Sequence, residues 1–80
     1  MSPTIYREGP YRFSFFANEG AEPPHVHVSR DSAQAKFWLE PSISLASAVG
    51  FSATELRRIQ TICEEHRIHF LEVWREFFRQ

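Results

Sequence analysis

Two rhythms divide the chain. From residue 3 to about residue 46, apolar and polar positions alternate between clusters of turn residues; from 52 to 79 they recur with a helical period. In the first part, "TIYR" (4–7) and "YRFSFFAN" (11–18) flank Gly9-Pro10 and predict a β-hairpin. "NEGAEPP" (18–24) reads as loop. "HVHVSR" (25–30) reads as a strand, "DSA" (31–33) as a tight turn and "QAKFWLE" (34–40) as the return strand, which Pro41 stops. "SISLA" (42–46) alternates weakly and suits a fifth, edge strand. The second part opens with Ser52 followed three residues later by Glu55, a capping box, with Phe51 and Leu56 placed for a hydrophobic staple.

The apolar residues after the cap are Leu56, Ile59, Ile62, Cys63, Phe70, Val73, Trp74, Phe77 and Phe78. Positions 56, 59, 63, 66, 70, 73 and 77 keep a 3-4 spacing with His66 as the polar member, which predicts a core-facing stripe. The expected fold is α+β: an antiparallel four- to five-stranded sheet (a β-meander) with one long C-terminal amphipathic helix packed on one face, all in a single domain, 1–80. Length raises a difficulty. A helix over 52–79 would span ~42 Å, whereas a chain of this size has a radius of gyration near ~12 Å. Either the helix bends near His66-Arg67, or its aromatic end, with Phe70, Trp74, Phe77 and Phe78, packs on a partner chain or a second copy.

Alternation also assigns faces, because strand residues two apart share a side. Val26 and Val28 belong with Ala35, Phe37 and Leu39 against the helix. The other face then carries His25, His27, Lys36 and Trp38, joined by Arg12, Ser14 and Phe16. Such a face is normally bland; two imidazoles, an ammonium and an indole make it the candidate site. The same geometry keeps His66 and His69, on the helix, away from His25 and His27.

Composition narrows the classes. Eighty residues with 42% hydrophobic and 15% aromatic content form one small globular domain. Nine basic residues against ten acidic ones leave no general electrostatic footprint for nucleic acid. Cys63 is the single cysteine, which excludes an internal disulfide and a four-cysteine zinc site. "MSPTIYREGP" lacks a signal peptide's apolar run, and no stretch approaches a membrane span, so a cytoplasmic location without membrane contact is expected.

Three chemistries fit the open face. As metal ligands, His25 and His27 sit about 6.6 Å apart along a strand; zinc needs a third ligand, and Glu19, Glu22 and Asp31 lie nearby without diagnostic spacing. As catalysts, the two histidines supply an acid and a base near neutrality, with Lys36 to stabilise developing negative charge, a set suited to metal-independent RNA cleavage. As a contact surface, Glu22, His25, His27, Lys36, Trp38 and Arg12 would bind a protein or RNA partner. The contact surface is the preferred reading. It needs no cofactor; a metal ion enters only through His25 and His27. His66 reads as a near-core histidine and His69 as solvated.

The chain resembles a family of small bacterial proteins known as domain of unknown function 4160. The resemblance rests on "PTIYR", "YRFSFFANEG", "EPPHVHV", "AKFWL", "GFSATELRRI" and the closing "VWREFF", and runs nearly end to end. It places Glu22, Pro23, Pro24, His25, His27, Val28, Lys36 and Trp38 at signature positions. It implies no defined reaction. It implies a bacterial interaction module, encoded beside a second small protein and belonging to a toxin–antitoxin-like pair.

Overall fold

The computed structural model describes residues 3–79. Alternation produces the expected meander. Strands β1 (Thr4–Glu8), β2 (Tyr11–Ser14), β3 (His25–Arg30), β4 (Ala33–Trp38) and β5 (Ser44–Val49) pair antiparallel in the order of the sequence, a five-stranded sheet among the described residues. Gly9, at φ 58°, makes the β1–β2 turn, and Asp31, at φ 53°, the two-residue β3–β4 turn; glycine meets no steric cost there, and aspartate is among the residues enriched in that region. The fifth strand is present but lies at 44–49 rather than 42–46, with Ile43 ahead of it buried in the core.

The helical segment is two helices. Helix α1 (Ala53–Glu65) starts at the predicted capping box: Glu55 N–H donates to Ser52 Oγ (3.1 Å), and Ser52 N–H donates to the Glu55 carboxylate (3.4 Å). It ends at His66, whose φ of −109° and ψ of 15° leave the helical region, and α2 (Arg67–Phe77) follows at once. A bend at His66-Arg67 was one of the two ways out of the length problem. It lets the molecule close to 37 × 25 × 20 Å with a radius of gyration of 11.6 Å, where an unbroken helix would overhang. The break also shifts the stripe. In α2 the buried positions are Phe70, Leu71 and Trp74, whereas the unbroken 3-4 spacing had expected 70, 73 and 77. No helix of the described residues is long and apolar enough to cross a membrane.

The core lies between one sheet face and the helices. Phe13, Phe15, Val26, Val28, Phe37 and Leu39 meet Ile59, Cys63 and Phe70 there, each 0–1% exposed. Burying such side chains stabilises by about 1.5–3 kcal/mol apiece. Cys63 belongs to this apolar layer, and burial pushes its thiol up to about 12, so it is no nucleophile. Polar ties hold the layers in register. Arg67 donates to the Leu39 and Pro41 carbonyls (2.7 and 3.2 Å), and His66 meets the Tyr6 hydroxyl (3.0 Å), satisfied near the core as expected.

Glu55 ties three elements together. It accepts from Arg30 of β3 through both carboxylate oxygens (2.9 and 3.1 Å) and from Tyr11 of β2 (3.2 Å), besides its place in the α1 cap. The Arg30 hydrogen bond lowers its carboxyl pKa against an opposing effect of burial. A lowered folded-state pKa contributes stability above the unfolded value that is lost as pH falls through the folded one. Glu55→Gln should therefore lower the urea midpoint at pH 7. Its deficit should shrink as pH falls through the lowered Glu55 pKa and wild-type Glu55 gains its proton. A deficit that does not change with pH would show that charge plays no part.

Candidate functional site

The open face is assembled as alternation predicts, in part. Across β3 and β4, His27 pairs with Lys36 and His25 with Trp38, while Ser14 of β2 lies opposite His27. The Lys36 ammonium sits 4.5 Å from the Trp38 ring centroid and donates to Glu22 (2.7 Å). The Phe16 ring stacks flat on His27, with centroids 3.7 Å apart and planes within 7°. Arg12, Ser14, Phe16, His27 and Gln34 line a cavity of about 310 Å³ on this side, where Arg12 also donates to the Thr4 hydroxyl. A smaller cavity of about 170 Å³ runs from Phe16, His27 and Lys36 to Ser47 and Val49 of β5.

His25 departs from the expectation of an outward, accessible histidine. It is 0% exposed. It stands at the start of β3, where the 17–24 loop and the end of α2 close over it, with Trp38 at 5.5 Å and Trp74 at 5.0 Å between ring centroids. Alternation named its face correctly but not what covers that end of the sheet. The helix histidines stay away, as expected: His66 lies by Tyr6 and Glu8.

The partner of both site histidines is Glu19. A 3-10 turn (Ala17–Glu19) after β2 carries it over the strand start. Gly20 permits the approach, since an added Cβ would collide with the Phe78 ring. Glu19 Oε1 lies 2.8 Å from His25 Nε2 and 2.6 Å from His27 Nε2. The other nitrogen of His25, Nδ1, is 2.9 Å from the Pro23 carbonyl, which only accepts, so Nδ1 donates. Among the described residues, Glu19, His25 and His27 form a group whose ligand-type atoms lie within 4.8 Å of one another. Burial works to raise the Glu19 carboxyl, but the hydrogen bonds and charges of His25 and His27 outweigh it and lower the pKa. Burial lowers the His27 imidazole pKa more than its hydrogen bond to Glu19 raises it.

Sequence reasoning noted Glu19 only as a neighbour without diagnostic spacing. Six residues separate it from His25, and the loop between them sets their distance. The aromatic contact set is corrected more strongly. Phe70 and Trp74 are 0% and 5% exposed inside this chain's own core and cannot serve a partner. Phe78 is half-buried against Trp74, and Phe77, 37% exposed, keeps a free side.

Fold and site together define a small α+β domain that holds a histidine–carboxylate cluster at one end of an otherwise open sheet face. The chain belongs to the DUF4160 family, a domain of unknown function, whose sequence profile matches residues 11–75. No curated protein and no solved structure matches it.

Proposed function

We propose that this domain is a protein-binding module of the bacterial cytoplasm, one member of a two-protein, toxin–antitoxin-like pair, which takes its partner at β5 and the adjoining open face. The observation that carries the reading is the edge of the sheet. Among the described residues β5 pairs only with β4, and all six of its residues, "SLASAV", are exposed. Exposed edges ordinarily carry lysine, proline or a cover that blocks further pairing. This one has no charge and no proline, and it presents unpaired backbone groups beside Leu45 and Val49, 44% and 72% exposed. A partner strand added there would meet the cavity between His27, Lys36 and Val49 with its alternate side chains.

Metal-independent RNA cleavage is less well supported. A general acid or base must reach its substrate, and His25 is buried with both ring nitrogens engaged. Lys36 is likewise held by Glu22 over Trp38.

The test is co-purification of the untagged chain from its native host, followed by mass spectrometry, for wild type and Val49→Lys. The substitution is exposed and should leave stability within about 0.5 kcal/mol, yet it places a charge on the pairing edge. Wild type should retain a protein partner, and Val49→Lys should lose most of it. Equal retention by both would remove β5 from the interface. A concentration-dependent dimer that Val49→Lys dissolves would make a second copy the occupant.

A further inference from the structure

We propose that Glu19, His25 and His27 form a binding site for a divalent transition-metal cation, zinc foremost, with Glu19 Oε1 and the two Nε2 atoms as ligands. The donor accounting at His25 leads there. Its Nδ1–H is committed to the Pro23 carbonyl (2.9 Å), which leaves Nε2 as the nitrogen available to a ligand. That nitrogen faces a carboxylate oxygen at 2.8 Å. A proton or a metal cation can bridge that pair, and His27 Nε2 converges on the same oxygen at 2.6 Å, so that three ligand-type atoms lie within 4.8 Å of one another. A backbone carbonyl that fixes the tautomer and leaves the opposite nitrogen free is the usual support of a metal-binding histidine.

Geometry and surroundings agree. A tetrahedral ion with bonds near ~2 Å holds its ligands ~3.3 Å apart. Glu19 would withdraw by roughly 0.5–0.7 Å from 2.8 and 2.6 Å, and the two imidazole nitrogens, within 4.8 Å of each other, would settle at the same spacing. Its side chain is 22% exposed and stands on a surface turn, so it can move, whereas His25 is locked. Phe16 supports one face of the His27 ring, and Trp38 and Trp74 wall the His25 side from water. Two imidazoles and one carboxylate suit zinc and its first-row neighbours, and not calcium or magnesium, which take oxygen ligands. Three protein ligands leave a fourth position for water or a partner's side chain. The ion would also fasten the 17–24 loop to β3.

The site shares His27 with the cavity beside β5, but its occupancy can be read without a partner. It is tested with untagged protein, stripped by chelator and titrated with zinc chloride in a calorimeter and with cobalt chloride by absorption and tryptophan fluorescence. One equivalent of zinc per chain is expected. Glu19→Gln and His27→Gln should each weaken binding by at least about tenfold, the loss typical even of residues that only support a ligand. His69→Gln should bind as wild type does. Cobalt should give d–d bands and quench tryptophan emission at one equivalent, because both indoles lie beside His25. Near-ultraviolet circular dichroism checks that each variant is folded. The proposal is overturned if wild type takes up no stoichiometric zinc, if folded Glu19→Gln and His27→Gln bind it unchanged, or if His69→Gln is as weak as they are.

Discussion

Phe70→Ala should leave a chain that is unfolded, or nearly so, at room temperature. Phe70 is 0% exposed and touches the rings of Phe13 at 5.6 Å, Tyr6 at 5.8 Å and His66 at 5.9 Å. It is therefore the side chain through which the bend, β1 and β2 meet. Truncating a buried phenylalanine costs about 3–5 kcal/mol, because the lost transfer energy is joined by a cavity that rigid neighbours cannot fill. A domain below about 80 residues rarely has more than about 3–5 kcal/mol from its core. One substitution thus matches the whole margin. Circular dichroism and thermal melting should show a midpoint lowered by at least roughly 12 °C, at about 4 °C per kcal/mol, or no transition at all. Phe77→Ala is the contrast. Phe77 is 37% exposed and should lose far less. Similar losses in the two variants would mean that the end of α2 is packed in solution in a way this arrangement does not describe.

How far the sequence could be read follows from which forces act locally. The β3 boundaries, the facing of Val26, Val28, Ala35, Phe37 and Leu39, and the Ser52–Glu55 cap came directly from period and spacing. Each depends on neighbours within a few residues. His66 was legible only as a weak point, because the 3-4 pattern runs through it; what breaks the helix is the need to keep Phe70 and Trp74 over a sheet shorter than the helix. Once it bends, the stripe moves from 70, 73 and 77 to 70, 71 and 74. Alternation likewise placed His25 beside Trp38 but could not show what covers it. The cover is made by a loop and by Trp74, nearly fifty residues away in sequence, brought together by packing that no local period records. Glu19 was hidden for the same reason. Its approach depends on Gly20 lying against Phe78. The open face was therefore found, and its most buried member was expected to face outward.

That burial makes His25 a structural element in its own right, which a comparison of three substitutions can expose. His25→Ala removes a ring wedged between Trp38 and Trp74 and strips the Pro23 carbonyl of its donor. Cavity formation and an unsatisfied acceptor together should cost about 2–5 kcal/mol. Asparagine and glutamine then separate the two ends of the ring. An asparagine amide can take the place of Nδ1–H and keep the Pro23 bond; a glutamine amide reaches towards Nε2 and keeps the one to Glu19. Glu19 can fall back on His27 and on solvent, being 22% exposed, whereas nothing else among the described contacts serves the Pro23 oxygen. In chelator-treated protein His25→Asn should therefore retain more stability than His25→Gln, and both more than His25→Ala, in urea midpoints at pH 7. The reverse order, with glutamine ahead, would mean that the bond to Glu19 rather than the one to Pro23 holds the loop. The hydrogen bond that anchors His25 to the chain would then not be the one that fixes its tautomer.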